Sequence, residues 1–419
     1  MLNFVFPERK LLSDYRGVID DKAYSEIEQL AQGLIGKRIL HVNATATGGG
    51  VAELLKAVVP LANSIGVTSD WCVINGSPGF FDVSKTMHNS LQGDPSPWTQ
   101  SMWETWFHCN EINAKELNPT EYDYIVIHDP QPAGILMFLK QASPQVHGKW
   151  IWRCHIDLTN AEDHVWDTIR PCIELFDAAI FTLEEFVRNN LEHPKIHISA
   201  PGIDPLSPKN LPLNSEQARN ILISNNIDPQ RPIISQISRL DPWKDPLGVV
   251  DTYRLVKAQR PDVQLVLVSV MAPDDPEGWI YYEKTLRHAG EDPDIHFLTD
   301  RFSQGNEDVV NAIQTASDVI IQKSIREGFG LTVTEALWKG KPVVAGNAGG
   351  IRLQVINEAT GFLINSTEEC ADRVLYLLEH KEEATRLGES AREHVRNSFL
   401  VTRYLRDYLE LFNSFENGR

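Results

Sequence analysis

Cysteine is scarce in this sequence, with five residues among 419. The five are scattered along the chain, and none of them forms a C-x-x-C pair. The sequence therefore predicts neither a disulfide framework nor a zinc site, and it indicates reduced thiols buried in a cytoplasmic protein. The five cysteines are Cys72, Cys109, Cys154, Cys172 and Cys370.

Long apolar runs and an excess of positive charge are also missing. No apolar run reaches the roughly 20 residues that a membrane-spanning helix needs. The first ten residues lack the basic-then-apolar order of a secretory signal. The formal net charge is -18, which repels phosphate backbones and anionic lipids. We therefore expect neither nucleic acid nor a membrane as a partner, and any phosphate site must be built from local groups.

The sequence contains two long series in which short apolar runs alternate with amphipathic helical segments. The first series covers residues 38–200 and the second covers residues 232–364. Such alternation predicts two doubly wound α/β domains. We expect the carboxyl edges of their sheets to face each other across a cleft. The predicted domains are residues 1–203 and 204–398, and a C-terminal helix over residues 399–419 is expected to pack on the first.

One segment interrupts the alternation. Residues 75–121 contain several aromatic side chains without a clear helical or strand period. We therefore predict a long irregular connection there, of a length that is usually functional.

The most informative stretch is residues 324–342, which follows a short apolar run that reads as a buried strand. A helix is predicted from near Thr332 to Gly340. Glu327 then lies in a strand-to-helix loop, at the edge where open α/β sheets bind ligands. Gly328 and Gly330 allow the backbone to approach a ligand. The first amides of the helix, near Leu331, suit a diphosphate.

A simpler interpretation of this stretch stays open. Thr332 and Glu335 have the spacing of a capping box, so Glu335 could only close its own helix.

A second loop in the same half contains two cations. Arg239 and Lys244 are separated by a Pro-Trp turn after a predicted strand. A guanidinium fork and an ammonium group at this place suit a diphosphate, although a solvated loop would have the same composition.

Polar residues also follow the predicted strands of the first half. Residues 45–50 include three glycines that either cradle a phosphate or allow a tight turn, and they lack the dinucleotide fingerprint. Residues 128–132 and 153–157 end two further strands. His155 and Asp157 are too few for a metal site, so we favour a structural or sugar-binding role.

Together these motifs resemble the trehalose glycosyltransferring synthases, which are retaining GT-B enzymes that join a nucleoside-diphosphate glucose to glucose. The resemblance extends over essentially the whole chain. It rests on His41-Val42-Asn43, Gly48-Gly49-Gly50-Val51-Ala52-Glu53, His128-Asp129-Pro130-Gln131-Pro132, Trp152-Arg153-Cys154-His155-Ile156-Asp157-Leu158, Ser238-Arg239, Asp241-Pro242-Trp243-Lys244, Met271, Asp274-Asp275-Pro276-Glu277-Gly278-Trp279-Ile280 and residues 324–335.

The resemblance implies a role for each matching residue. Glu327 would hold the donor sugar hydroxyls and Glu335 the ribose. The catalytic set would be His155, Glu327, Arg239 and Lys244, the last two on the diphosphate. The donor site would further contain Gly49, Gly50, Met271, Gly328, Phe329, Gly330 and Leu331. The acceptor site would contain Asp129, Gln131, Arg153, His155 and Asp157.

The resemblance also implies front-face attack with retention, in which the departing phosphate takes the acceptor proton. No cofactor and no metal would then be required. The expected partners are the nucleotide sugar and glucose, and a homodimer is compatible with the sequence. Three other functions stay open, namely a trehalose phosphorylase, a nucleotide-sugar 2-epimerase and a non-catalytic sugar-nucleotide sensor. The nucleobase and the direction of the reaction are not determined.

Overall fold

The computed structural model describes residues 2–47, 49–269, 277–299 and 306–417. The chain forms two compact units. Unit 1 is Met1–Gly202 together with Val401–Arg419, and unit 2 is Ile203–Leu400.

Unit 1 is built on a seven-stranded sheet in the order β1-β3-β2-β4-β5-β6-β7. All neighbouring strands are parallel except the short β1, which is antiparallel to β3. Every residue of β4 is buried, because helices cover both faces of a parallel sheet. The strands are β1 (Asn3–Phe4), β2 (Arg38–Asn43), β3 (Thr68–Val73), β4 (Tyr124–His128), β5 (Lys149–Arg153), β6 (Ala178–Phe181) and β7 (Lys195–Ile198).

The helices of unit 1 include the last helix of the chain. The helices are α1 (Asp21–Gln32), α2 (Gly50–Ser64), α3 (Pro78–Ser90), α4 (Gln100–Glu116), α5 (Ile135–Ala142), α6 (Asp163–Ile173) and α15 (Val401–Asn417). α15 contacts α1 and α2. Its Phe412 ring stacks on Tyr124 of β4 with ring centroids 4.4 Å apart.

The prediction of an irregular connection over residues 75–121 is wrong, because α3 and α4 lie there. Ser77 and Thr99 cap them by accepting hydrogen bonds from backbone N–H groups of their first turns. The buried residues of α4 have helical spacing, but two of the five are asparagines. Asn110 accepts a hydrogen bond from the Gly134 N–H, and Asn113 accepts one from the Asn75 N–H. The sequence of α4 therefore lacks the regular apolar spacing by which an amphipathic helix is predicted.

Unit 2 contains a six-stranded parallel sheet in the order β10-β9-β8-β11-β12-β13. Its strands are β8 (Ile233–Ile237), β9 (Gln264–Ser269), β10 (Ile295–Thr299), β11 (Val319–Gln322), β12 (Val343–Gly346) and β13 (Phe362–Ile364). Its helices are α7 (Ser215–Ser224), α8 (Pro246–Gln259), α9 (Glu277–Ala289), α10 (Asn306–Ala316), α11 (Leu331–Trp338), α12 (Ile351–Gln354), α13 (Thr367–Glu379) and α14 (Lys381–Ser398).

The predicted class of two doubly wound α/β domains is confirmed by these two parallel sheets. In both units the strand order reverses direction near the first strand of the parallel series, and ligands bind at such switch points in open sheets. All five cysteines are buried and free. Across the described ranges, no helix is long and apolar enough to cross a membrane.

Candidate active site

Glu327 lies between β11 and α11 in unit 2, in the strand-to-helix loop that the sequence predicts. Its Oε2 atom is 2.5 Å from Nζ of Lys244. The side chains are 10% and 13% exposed, so this is a nearly buried ion pair. The Ser324 hydroxyl donates a further hydrogen bond of 3.3 Å to the same oxygen. The carboxylate is therefore held in one orientation before any ligand arrives.

The two loops that carry this ion pair are joined through their backbones. The Ile325 N–H donates to the Trp243 carbonyl at 2.7 Å. Gln236 bridges them as well, since its side chain accepts from the Lys323 N–H and donates to the Lys244 carbonyl. Lys244 and Glu327, which are 83 residues apart, are thus fixed against each other by main-chain contacts rather than by long side chains alone.

Arg239 precedes the same turn. Its guanidinium is 3.6 Å from Asp241, whose carboxylate is buried and also accepts from the Lys244 N–H. About one third of the Arg239 side chain is exposed. The structure thus places one partly exposed cation and one nearly buried cation within the same short loop.

Gly330 is required at its position for two reasons. Its φ angle is +89°, a region that residues with a side chain adopt rarely. A Cβ atom there would also lie 3.2 Å from Cγ of Glu327. Gly330 is the N-cap of α11, so the free amides of that helix begin beside the Glu327 carboxylate.

The other predicted donor-site residues of this loop differ in which of their atoms a ligand could reach. The Phe329 ring is buried against Phe399 with centroids 5.5 Å apart, so only its backbone is available to a ligand. Gly328 packs closely too, because its carbonyl oxygen would be 2.5 Å from a Cβ atom at Gly350. Leu331 is half-buried at the start of the helix.

The capping-box interpretation of Glu335 is wrong. α11 begins at Leu331 with Gly330 as its N-cap, so Thr332 lies inside the helix. The Glu335 carboxylate, 1% exposed, is 2.6 Å from Nζ of Lys209. Glu335 is therefore used in a buried ion pair, with a lysine that the sequence analysis did not select.

A second lysine lies close to this ion pair. Lys339 Nζ donates to the side-chain oxygens of Asn210 and Gln314, at 3.1 and 2.8 Å. Burial lowers the pKa of Lys339 to about 8, with the positive charge of Lys209 acting in the same direction and Glu335 opposing it. The Glu335 carboxylate thus has two lysines near it, and Lys209 is its ion-pair partner.

Asp129 follows β4 in unit 1 and adopts a φ angle of +64°. Its Oδ1 atom accepts a hydrogen bond of 2.8 Å from the His155 N–H, and its own N–H donates to the Arg153 carbonyl. The ends of β4 and β5 are therefore tied together by this one aspartate. Burial raises the pKa of the Asp129 carboxyl to about 7.

This pKa predicts a pH-dependent effect of Asp129→Asn. Between the unfolded value of about 3.9 and the folded value of about 7, the folded state binds a proton that the unfolded state lacks. The stability contributed by Asp129 therefore falls as pH rises through this window. Asparagine tolerates positive φ and still accepts from the His155 N–H. We expect the Tm of Asp129→Asn, relative to wild type, to rise between about pH 4 and pH 7 and to level off above about pH 7. A Tm difference independent of pH would contradict the assignment.

His155 lies just beyond β5, and its ring is half-buried. Its Nε2 atom is 3.0 Å from Nδ1 of His128, and His128 Nε2 is 3.0 Å from Nδ1 of His41. Burial lowers the pKa of His155 and of His128 well below the usual range, and lowers that of His41 to about 3. All three imidazoles are therefore neutral at physiological pH.

Arg153 does not lie at the surface where an acceptor contact was predicted. The residue is fully buried, and its guanidinium faces the Tyr404 ring of α15 at 5.7 Å. Its three nitrogens have no hydrogen-bond partner among the described residues. Arg153 is the last residue of β5, and its side chain packs against α15. The sequence alone does not reveal that α15 covers it. In this arrangement Arg153 acts at a distance, as a buried positive charge near Asp129 and His155.

Two further predicted acceptor residues are at the same sheet edge. Asp157 is buried, and its Oδ1 atom accepts from the Thr159 N–H at 2.9 Å, which closes a local turn. The side-chain oxygen of Gln131 is buried and has no hydrogen-bond partner within the described ranges. Gln131 is thus equipped to accept from a ligand hydroxyl, whereas Asp157 already has a structural contact.

The glycine loop begins helix α2. Gly49 is its N-cap and Gly50 its first residue, and a Cβ atom at Gly49 would have open space around it. The loop can therefore admit a ligand beside the first amides of α2. Gly48 and Met271 lie outside the described residues, as do residues 274–276 of the resemblance.

The part of the chain that the structure describes contains no group of three or more His, Cys, Asp or Glu side chains placed to hold a metal ion. His155 contacts His128, and Asp157 closes the turn at Thr159.

Sequence reasoning assigned no role to four residues that the structure brings to these sites. His41 and His128 were named only within the motifs of the resemblance, because a single histidine in or beside an apolar strand does not reveal its partners. Ser324 was included only as the start of the motif. Lys209 lies in a polar segment without periodicity, so no pattern could link it to Glu335.

Comparison with solved structures defines the class of protein. A sucrose-phosphate synthase from Thermosynechococcus elongatus superposes with a TM-score of 0.72 at 18% identity, covering 91% of this chain and 100% of that one. At this identity the likeness concerns the fold, which is GT-B. Residues 217–394 match the family model "Glycosyl transferases group 1". The protein is a glycosyltransferase with two Rossmann-like domains.

Comparison of the sequence is more specific. Residues 41–188 match the model "Trehalose synthase, N-terminal domain". The trehalose synthase of Thermococcus litoralis is 47% identical over 409 residues, covering 97% of this chain and 98% of that protein. The chain belongs to the trehalose synthase family. A trehalose phosphorylase of Pleurotus sajor-caju is 27% identical over 446 residues, covering 92% of this chain and 59% of that protein.

Proposed function

We propose that this protein forms trehalose by transferring glucose from a nucleoside diphosphate to free glucose, with retention at the anomeric carbon. The observation that carries the proposal is the Glu327–Lys244 pair beside the N-terminus of α11. It presents a fixed carboxylate for sugar hydroxyls, and fixed positive charge for a diphosphate, within one pair of loops. The 47% identity to a trehalose synthase supports the choice of product.

In the proposed reaction the protein positions the two substrates and stabilises the developing negative charge. The bond between the glucose C1 atom and the diphosphate oxygen breaks, and the acceptor oxygen forms its bond to C1 on the same face. The acceptor proton passes to the departing phosphate oxygen. Negative charge grows on the diphosphate as it leaves, so Arg239, Lys244 and the amides of α11 would stabilise the transition state. By the resemblance Glu335 would hold the ribose, for which its carboxylate, 1% exposed, would have to leave Lys209.

The test is direct. The protein is incubated with ADP-, UDP- or GDP-glucose and free glucose, and the product is identified by NMR. We expect α,α-trehalose with at least one donor, together with release of the nucleoside diphosphate, and the reverse reaction when trehalose and the nucleotide are supplied.

A trehalose phosphorylase is the second candidate, because the Pleurotus sajor-caju enzyme matches 92% of this chain. Trehalose breakdown that requires inorganic phosphate and no nucleotide would support it and would contradict our proposal.

We predict that the acceptor is glucose rather than glucose 6-phosphate. The candidate acceptor segments are residues 76–93, 128–132 and 153–157, and they contribute only Lys85 and Arg153 as permanent cations. Arg153 is fully buried under α15. A phosphate group would need fixed cations at the surface, against a net charge of -18.

The measurement is kcat/KM for the two acceptors with one donor. We expect kcat/KM to be about 100-fold higher for glucose. This is the effect expected when the phosphate of glucose 6-phosphate loses its water without gaining a charged partner. A preference for glucose 6-phosphate would overturn the charge argument.

We also predict turnover without a divalent ion. Arg239, Lys244 and the start of α11 would supply the positive charge that metal-dependent phosphate sites take from Mg²⁺ or Mn²⁺. Dialysis against EDTA should leave turnover within twofold of the untreated protein. Loss of activity that added Mg²⁺ or Mn²⁺ restores would refute this.

A further inference from the structure

The histidine row of unit 1, formed by His41, His128 and His155, crosses three adjacent strands. β2, β4 and β5 are neighbours in the sheet, and their spacing of about 4.8 Å brings the rings into layers. Ring centroids are 5.3 Å apart in both pairs, with 34° and 19° between the planes. Two N···N contacts of 3.0 Å connect the rings. The row is therefore continuous from the interior to the sheet edge.

Proton positions in this row depend on one another. A neutral imidazole carries one N–H, so each N···N contact needs a donor on one ring and an acceptor on the other. In one arrangement His41 donates to His128, His128 donates to His155, and the outer Nδ1 atom of His155 carries a proton. In the other arrangement all donors reverse, and His155 Nδ1 becomes an acceptor. The tautomers of the three residues therefore change together.

Only one end of the row can meet a solute. His41 is 3% exposed and His128 is 1% exposed, whereas His155 is half-buried at the edge that also contains Asp129 and Gln131. The buried charge of Arg153 disfavours a positive charge on His155 and His128. The row is thus kept neutral, and its buried members can act only through His155.

We propose that His41 and His128 are positioning residues that set the tautomer and the ring orientation of His155. This rests on the proposed function and on the acceptor-site role that the family resemblance implies for His155, in which its ring contacts a sugar hydroxyl. A hydroxyl can donate or accept, so a fixed tautomer at His155 fixes the direction of that hydrogen bond. The His155 N–H bound by Asp129 anchors the backbone of the same residue. Backbone and ring are then both oriented before substrate binds.

The first experiment measures the tautomers directly. The full-length chain is labelled with ¹⁵N-histidine, and long-range ¹H–¹⁵N spectra distinguish Nδ1–H from Nε2–H imidazoles. We expect one tautomer for His155 in the wild type and a mixture in His41→Phe, which keeps the ring but removes its nitrogens. An unchanged His155 spectrum in His41→Phe would overturn the proposal.

The second experiment separates positioning from simple packing. His197 of β7 is a half-buried histidine of the same unit outside the row, so His197→Phe is the matched control. We expect His128→Phe to lower kcat/KM for the acceptor about fivefold to tenfold, the effect of one misdirected hydrogen bond. His197→Phe should change Tm only. Equal kcat/KM in the two variants would contradict the role of His128.

The two proposals fail in different ways. Absence of trehalose with every donor would refute the proposed function, while the spectra of His155 would still decide whether the row couples its tautomers. If trehalose forms but the tautomer of His155 does not depend on His41 and His128, only the proposal about the histidine row is refuted.

Discussion

Glu327→Ala should lower turnover by about 100-fold or more while the protein still folds. The carboxylate is 10% exposed and is oriented by Lys244 and by the Ser324 hydroxyl, at 2.5 and 3.3 Å. Losing one preorganised electrostatic contact of this kind costs about 10²–10³ in turnover. Gly330 would not compensate, because it contributes only backbone.

The measurement is kcat with saturating donor and glucose, beside a circular-dichroism melt that reports the folded fraction. Glu379→Ala is the matched control, since Glu379 is an exposed carboxylate at the end of α13 in the same unit. It should retain wild-type turnover. Turnover of Glu327→Ala close to that of the control would remove Glu327 from the reaction.

Lys244→Ala should lower both turnover and stability. The variant leaves the Glu327 carboxylate nearly buried without its cation, and removing one member of a buried ion pair costs about 3–5 kcal/mol. It also removes positive charge that we assign to the departing diphosphate. We therefore expect a loss of at least 100-fold in kcat/KM, together with a lower midpoint in urea.

Lys257→Ala separates the two effects. Lys257, in the last turn of α8, pairs with Asp292 and Asp294 at 2.8 and 2.9 Å, so its loss should lower stability and leave turnover unchanged. The double variant Lys244→Ala/Glu327→Ala should unfold at higher urea than the sum of the single effects implies, because the pair is broken only once. Strict additivity of the two free energies of unfolding would show that the ion pair contributes nothing.

The sequence by itself determined the fold class and the place of Glu327 in the fold. Apolar runs in a parallel sheet are buried on both faces, so they stand out as continuous strands such as β4 and β8. The position of Glu327 follows from the same pattern, because a residue between an apolar run and a helix start must lie at the carboxyl edge of the sheet. These are local properties, and local sequence is enough to predict them.

Contacts between distant segments had to come from the tertiary structure. α4 was hidden because Asn110 and Asn113 occupy its buried side, and their hydrogen bonds lie far along the chain. Glu335 looked like a capping residue until Lys209, 126 residues earlier in the numbering (335 − 209), was found against it. Arg153 looked available to an acceptor until α15, more than 200 residues later, was seen to cover it.

The histidine row illustrates the division most clearly. The sequence singles out His155 and quotes His41 and His128 within motifs, but it does not show that the three side chains touch one another, because they lie on separate strands. Parallel strands at a spacing of about 4.8 Å align them into one hydrogen-bonded row. Sequence fixes which side chains stand at the sheet edge, whereas strand order decides which of them touch, since hydrogen-bonding partners in a sheet are chosen by topology and not by proximity along the chain.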